Sequence, residues 1–194
     1  MKKILLFAGS NSSQSINRSL LEYAAGFLNP DDYTLLDLKA YNLPLYSTEI
    51  EHEGIPENAR TLSSIIREHE VLIISVAEHN GSITAFLKNV LDWVSRAQKN
   101  YRVFDNNSVV LLSTSPGAGG GQTALAHAET IITRLGGTVV GKMSVPAYYQ
   151  HVEVAAGTVY ISNRELVRQF SVLIDKIVSL LEPAHSITEE KALA

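Results

Sequence analysis

The stretch Ile4-Leu5-Leu6-Phe7-Ala8-Gly9-Ser10-Asn11-Ser12-Ser13-Gln14-Ser15-Ile16-Asn17-Arg18 decides the fold of this chain. Its first five residues are a continuous apolar run, too short for a helix and without a polar face. Such a run suits a strand buried on both sides. The residues from Gly9 to Ser15 are small or polar. From residue 17 to 28 the pattern is helical, with Leu20, Ala24, Phe27 and Leu28 on one face. Strand, polar loop and helix in that order open a βαβ unit.

Outward from this stretch the pattern repeats. Val71 to Ala77 and Val109 to Leu112 are further apolar runs, Tyr33 to Leu38 is a weaker one, and Thr138 to Val145 is a fifth. Between them lie amphipathic helices. Pro56 opens one, with Ala59, Leu62, Ile65 and Ile66 on its stripe, since proline is tolerated in a first turn. The next carries Ile83, Phe86, Leu87, Val90, Leu91 and Val94 at three- and four-residue steps. Another runs from about Gln122 to Leu135 and stops at Gly136-Gly137. The last begins at Ser162-Asn163-Arg164-Glu165, a capping-box pattern, and is expected to bury Leu166, Phe170, Leu173, Ile174, Ile177, Val178 and Leu181.

Five strands alternating with five helices give a doubly wound α/β fold in a single domain over residues 1–182, with a frayed tail at 183–194. Two strand orders are common for such folds, the dinucleotide-binding and the flavodoxin-like, and both place ligands beyond the carboxyl ends of the strands. Segments 39–55 and 146–161 fall outside the simple repeat. Within the second, 152–154 and 158–161 read as a small hairpin around Ala156-Gly157.

Composition narrows the function. Of 194 residues, 45% are hydrophobic and 19% charged, the net charge is -4, and there is no cysteine. Without a basic stripe, nucleic acid is not an expected partner. Without cysteine there is no disulfide, thiolate metal site or cysteine nucleophile. No apolar run is long enough to span a bilayer, and the five residues after Met1-Lys2-Lys3 are too few for a signal-peptide core, so the expected location is the cytoplasm.

Small and polar residues collect after strands one, three and four. The first loop, with Ser10, Ser12, Ser15, Ile16 and Asn17, places hydroxyls beside the free N–H groups of a helix start, which suits an anion. The same residues also read as a polar loop in which Ser15 or Asn17 simply caps the helix. The second is Glu78-His79-Asn80-Gly81-Ser82, where Asn-Gly is a turn pair. His79 has no second ligand at metal spacing. The third, Ser115-Pro116-Gly117-Ala118-Gly119-Gly120-Gly121, is thin enough to lie against a planar group. A P-loop is excluded because the one Gly-Lys pair, Gly141-Lys142, is followed by Met143 on a strand. A dinucleotide fingerprint is excluded because only Gly9 follows strand one. A phosphate cradle with two thin loops beside it suits a mononucleotide carrying a flat ring, and FMN fits that description.

At these residues the chain resembles the NAD(P)H-dependent FMN reductase family, which includes quinone, azo-compound and chromate reductases. Gly9, Ser10, Ser15, Asn17, Arg18 and Leu20 match its first motif. Glu78, Asn80, Ser82, Leu87, Lys88, Asn89, Asp92 and Trp93 match the second, and Ser115, Gly117, Gly119 and Gly120 the third. Leu43-Pro44-Leu45-Tyr46 resembles the family's stretch after strand two. Ser12 stands where the family often has arginine, Ala77 and His79 replace Pro and Tyr, and Thr84-Ala85 replaces Pro-Gly.

The resemblance implies a flavodoxin-like three-layer sandwich, with a five-stranded parallel sheet of order 2-1-3-4-5 and helices on both faces. It implies FMN with its phosphate on the first loop and its ring at 78–82 and 115–120. It further implies NAD(P)H as co-substrate, a small-molecule electron acceptor, and a homodimer or homotetramer with contacts near Lys88-Asn89 and Asp92-Trp93. The flavin carries the hydride chemistry, so no protein catalytic residue is expected. The alternatives are a flavodoxin-type electron carrier and a flavin-free binding protein on the same scaffold.

Overall fold

A computed structural model describes residues 3–181 of the chain, so the expected tail lies outside the described residues. Strands β1 (Ile4–Ala8), β2 (Tyr33–Leu36) and β3 (Val71–Val76) are joined through helices α1 (Ile16–Ala25), α2 (Thr48–Glu53) and α3 (Glu57–Arg67). Two short strands, β4 (Glu78–His79) and β5 (Ser82–Ile83), precede α4 (Ala85–Arg96), followed by β6 (Ser108–Thr114), α5 (Gln122–Arg134) and β7 (Thr138–Val145). The chain continues through α6 (Tyr148–His151), the hairpin β8 (Val152–Ala155) and β9 (Thr158–Ile161), and α7 (Arg164–Leu181). The main sheet has the order β2-β1-β3-β6-β7, parallel throughout. This is the flavodoxin-like 2-1-3-4-5 order once the short β4–β5 ladder is set aside.

The apolar runs read as they do because both sheet faces are covered. Ile4, Leu6 and Ala8 pack into the layer of α1 and α7, while Leu5 and Phe7 pack into the layer of α3, α4 and α5. Val71 and Ile73 divide from Leu72, Ile74 and Val76 in the same way. Each large side chain so buried contributes on the order of 1.5–3 kcal/mol.

Several details differ from the sequence reading. β2 ends at Leu36, and Leu38–Ala40 turns into a 3-10 helix capped by Asp37. α1 stops at Ala25, which leaves Phe27 45% exposed. Val178, expected in the core, is 42% exposed because Ile177, three residues after Ile174, takes the inward position of that turn. The cap of α7 is Asn163, whose Oδ1 accepts from Glu165 N at 3.0 Å and Leu166 N at 3.2 Å. Ser162 instead donates to His151 O at the base of the hairpin. The hairpin forms where expected, with its first strand one residue longer, to Ala155.

The segment after β2 is held by α4. Trp93 is fully buried, and its Nε1 donates to Pro44 O at 2.7 Å. Asn89 donates Nδ2 to that carbonyl at 3.0 Å and accepts from Tyr46 N at 2.8 Å. Two of the residues expected at an oligomer contact therefore serve an intramolecular one. Tyr46 donates its hydroxyl to Glu51 in α2, which holds the phenol above its ordinary pKa.

The carboxyl edge of the sheet is braced by one side chain. Asn17 is 3% exposed, and its Oδ1 accepts from Ser75 Oγ at 2.9 Å and from Thr114 N at 3.2 Å. Its Nδ2 donates to Thr114 O at 3.3 Å. The start of α1 is thus fastened to the ends of β3 and β6.

Asn17→Ala should lower stability by about 2–4 kcal/mol, because buried groups on both strands lose their partner. Urea denaturation without cofactor measures this, and a loss under about 1 kcal/mol would show that the amide is no brace. In the same assay Asn163→Ala should cost about 1 kcal/mol and Ser162→Ala no more than roughly 0.5.

Candidate functional site

The three loops start level with one another. Ala8 lies beside Ser75, and Val76 beside Ser113, so β1, β3 and β6 end at nearly the same height on adjacent positions. The first and third loops are two strand spacings apart, about 10 Å.

In the first loop each expected serine is turned back on the backbone. Ser10 Oγ accepts from Ser12 N at 3.3 Å, Ser12 Oγ from Gln14 N at 3.1 Å, and Ser15 Oγ from Arg18 N at 3.2 Å. An accepting hydroxyl keeps its own proton to donate. The N–H groups of Ile16 and Asn17, first in α1, have no intrahelical partner. The loop is therefore an array of neutral donors suited to an anion. Asn17 contributes its main chain only, since its amide is engaged in the brace. Of the two residues read as a cap for α1, Ser15 is the one that takes the position.

The second loop is a two-residue hairpin, with Asn80 and Gly81 both left-handed at φ 52 and 74. Glu78 does not reach outward. Its Oε2 accepts from Ala124 N at 3.1 Å and caps α5, whose N-cap residue Gly121 has no side chain to do so. Ser82 Oγ lies 3.1 Å from His127 Nδ1. His79, Asn80 and Ser82 line a cavity of about 580 Å³ with Lys88, His127 and Ile131. Thr84, in place of the family's proline, caps α4 through Leu87 N and donates to Gly9 O at 2.7 Å, joining the first and second loops.

The third loop is tied to the end of β7. Ser115 O accepts from Tyr148 N at 3.0 Å, and Gly117 O from Ala147 N at 2.9 Å. Its glycines are of two kinds. At Gly120, φ 57, a Cβ would collide with Ser144 Oγ and stand 2.9 Å from Pro146 N, so this glycine is required by the protein itself. At Gly119 the φ is ordinary and nothing lies within 4 Å of a Cβ, and at Gly117 only Ser115 Oγ does, at 4.0 Å. Pro116, Gly117 and Gly119 are exposed. An open glycine face with no protein neighbour fits a flat ligand laid against the main chain.

The expected residues do not share one cavity. Ser10, Ser12, Ser15 and Ile16 line a cleft of about 600 Å³, apart from the cavity at His79, Asn80 and Ser82. The cleft is also lined by Leu36 to Lys39 and by Tyr148, Tyr149, Val152 and Val154, which form a wall from a later part of the chain. Sequence reasoning missed this wall. The available signals were the Tyr148-Tyr149 pair after a strand end and the alternating valines at 152 and 154. Arg18 reaches the cleft and pairs with Glu22 at 3.1 Å, while Lys39 pairs with Asp37 at 3.7 Å, so the lining charges balance. Among the described residues no cluster of His, Asp or Glu is able to hold a metal ion. No described helix is long and apolar enough to cross a membrane.

The chain shares 32% identity over 133 residues with a 2-hydroxy-1,4-benzoquinone reductase of a Burkholderia species, covering 69% of this chain and 71% of that protein. It is 30% identical over 126 residues to an NAD(P)H-dependent FMN reductase of Pseudomonas aeruginosa, covering 64% and 66% of the two chains. In structure it is similar to the flavoenzyme NAD(P)H:(acceptor) oxidoreductase FerB of Paracoccus denitrificans, with a TM-score of 0.73 at 24% identity over 92% of this chain and 96% of that one. Flavodoxin 1 of Bacillus cereus aligns with a TM-score of 0.57 at 14% identity, over 94% and 100% of the chains, which speaks to the fold alone. The sequence profile of NADPH-dependent FMN reductases matches residues 2–151. The chain belongs to the NADPH-dependent FMN reductase family.

Proposed function

We propose that the chain binds one FMN at the edge where β1, β3 and β6 end, and uses NAD(P)H to reduce a small acceptor such as a quinone, azo compound, free flavin or metal oxyanion. The observation that carries this reading is the level ending of those strands beneath a donor-lined loop and an open glycine face. The names of the benzoquinone-reducing and FMN-reducing relatives support the reaction class. FMN, when bound, supplies the hydride chemistry, and the protein's part is to hold and orient it. Ser10, Ser12, Ser15 and the N–H groups of Ile16 and Asn17 receive the phosphate in this reading. The main chain of Glu78 to Ser82, with the His79 ring, and Ser115, Pro116, Gly117, Gly119 and Gly120 border the flat ring. Glu78 and Gly120 act by shaping their loops. A dimer or tetramer belongs to the same reading.

A single exposed ring face serves nicotinamide and acceptor only in turn. The two substrates then exclude one another, and the mechanism is ping-pong. Steady-state rates with NAD(P)H and a small quinone should give parallel double-reciprocal lines; converging lines would mean that both substrates bind together. If dithionite bleaches the bound flavin anaerobically while neither nucleotide does, the chain is an electron carrier.

FMN should bind at about one per chain in a fluorescence titration. Ser12→Ala with Ser15→Ala should weaken FMN far more than riboflavin, each lost charge-assisted bond costing on the order of 1.5–3 kcal/mol. Equal weakening of both ligands would remove these serines from the phosphate site.

A further inference from the structure

The tip of the second loop carries a chemically reactive pair. Asn80-Gly81 is the one Asn-Gly step in the chain, and every other asparagine is followed by a residue with a side chain. A main-chain nitrogen that follows an asparagine is placed to attack the amide carbon of its side chain, and glycine leaves that nitrogen unscreened. Asn80 is exposed, and neither its side chain nor Gly81 N makes a hydrogen bond among the described residues. A Cβ at Gly81 would meet nothing within 4 Å, so no protein atom crowds the place of attack. In the closed turn both residues are left-handed, and the peptide plane between them must rotate before Gly81 N reaches Cγ of Asn80. Little holds it back. The ladder has only two residue pairs and forms a sheet of its own, and so short a ladder is marginal alone. Its base is fastened to α5 through Glu78 and Ser82, which confines any opening to the tip.

We propose that Asn80 is a site of spontaneous deamidation controlled by the cofactor: the open tip converts to an acid, and FMN laid against residues 78–82 holds the tip shut. In the first step Gly81 N bonds to Cγ of Asn80. The side-chain nitrogen leaves as ammonia, taking the main-chain proton, and a cyclic succinimide remains. Water then adds to either ring carbonyl and opens the ring to an aspartate or an isoaspartyl link. One water is consumed and one ammonia released, and nothing is oxidised or reduced. Both products put a carboxylate at the border of the flat ring. The isoaspartyl form also lengthens the main chain by one carbon, which breaks the pairing of His79 with Ser82. A chain left without FMN thus loses its site with time, and a loaded chain keeps it. The protection by FMN rests on the reductase reading above, whereas the conversion itself does not.

The test incubates the full chain at mildly alkaline pH and physiological temperature, with and without FMN. Peptide mapping and released ammonia follow the conversion. Asn80→Asp suits the left-handed turn and has no side-chain amide to lose, so it sets the ammonia background. Without FMN, aspartyl and isoaspartyl forms should accumulate at Asn80 faster than at any other asparagine. FMN at about ten times its dissociation constant should slow this roughly tenfold, because mass action depletes the open tip. The isoaspartyl chain, once separated, should bind FMN roughly fivefold or more weakly than the fresh chain, the scale of one lost main-chain contact. An Asn80 that converts no faster than the other asparagines overturns the site. Equal rates with and without FMN, in a chain that binds FMN, overturn the protection, and so does undiminished FMN binding by the isoaspartyl chain. Should FMN fail to bind the fresh chain at all, the reductase reading falls. Peptide mapping of the flavin-free chain then still decides the site.

Discussion

The amide of Asn17 is the point on which the carboxyl edge of this sheet depends. Where a parallel ladder ends, backbone groups lose their strand partners while still lying below the surface, and each must be paired or its burial costs energy. Asn17 brings a carbonyl and an amine to that spot at once, taking the N–H and the carbonyl of Thr114 together with the hydroxyl of Ser75. One helical residue thereby fixes α1 against two strands. Since the first loop runs from β1 to that helix, its course follows. The other loops obey the same rule: Thr84 holds Gly9 O, Glu78 caps α5, and Tyr148 N holds Ser115 O.

The strands were legible because burial on both faces leaves a simple mark, an unbroken apolar run. Helices with one wet face left an equally simple period. Roles at the edge were harder to read. A short polar side chain after a strand has the same appearance whether it faces a ligand or its own backbone, and only the fold tells the two apart. Ser15 and Asn17 are two residues apart and equally polar, yet one caps the helix at the cleft and the other is sealed beneath it. Glu78 matched a motif and proved to serve a helix lacking its own cap. Ser162 carried the capping-box spacing, but Asn163 took the position because the hairpin engages Ser162.

Segments 39–55 and 146–161 lacked periodicity for a related reason. The first is shaped by a buried indole and an amide on α4, contacts distant in sequence. The second packs on α1 through β9, and Val152 and Val159 join the core of that layer. Long-range packing of this kind leaves no repeat to find. It nevertheless decides where the edge is walled, because the hairpin closes the α1 side of the first loop and leaves the side of α4 and α5 to a different cavity.

The first loop carries no charged side chain from Gly9 to Asn17, so an anion there would be met by oriented neutral donors. Hydroxyls and N–H groups fixed by the helix start need little reorganisation to meet a phosphate, and the positive end of the α1 dipole adds to them. The two nearby cations do not take over that task, since each sits beside a carboxylate that also lines the cleft. This separation has a physical consequence. A permanent guanidinium inside the loop would draw any phosphate, including that of a dinucleotide, to the position assigned to FMN. With the loop neutral and both nearby cations paired with carboxylates, the oriented donors of the helix start are the part of this edge best suited to meet an anion.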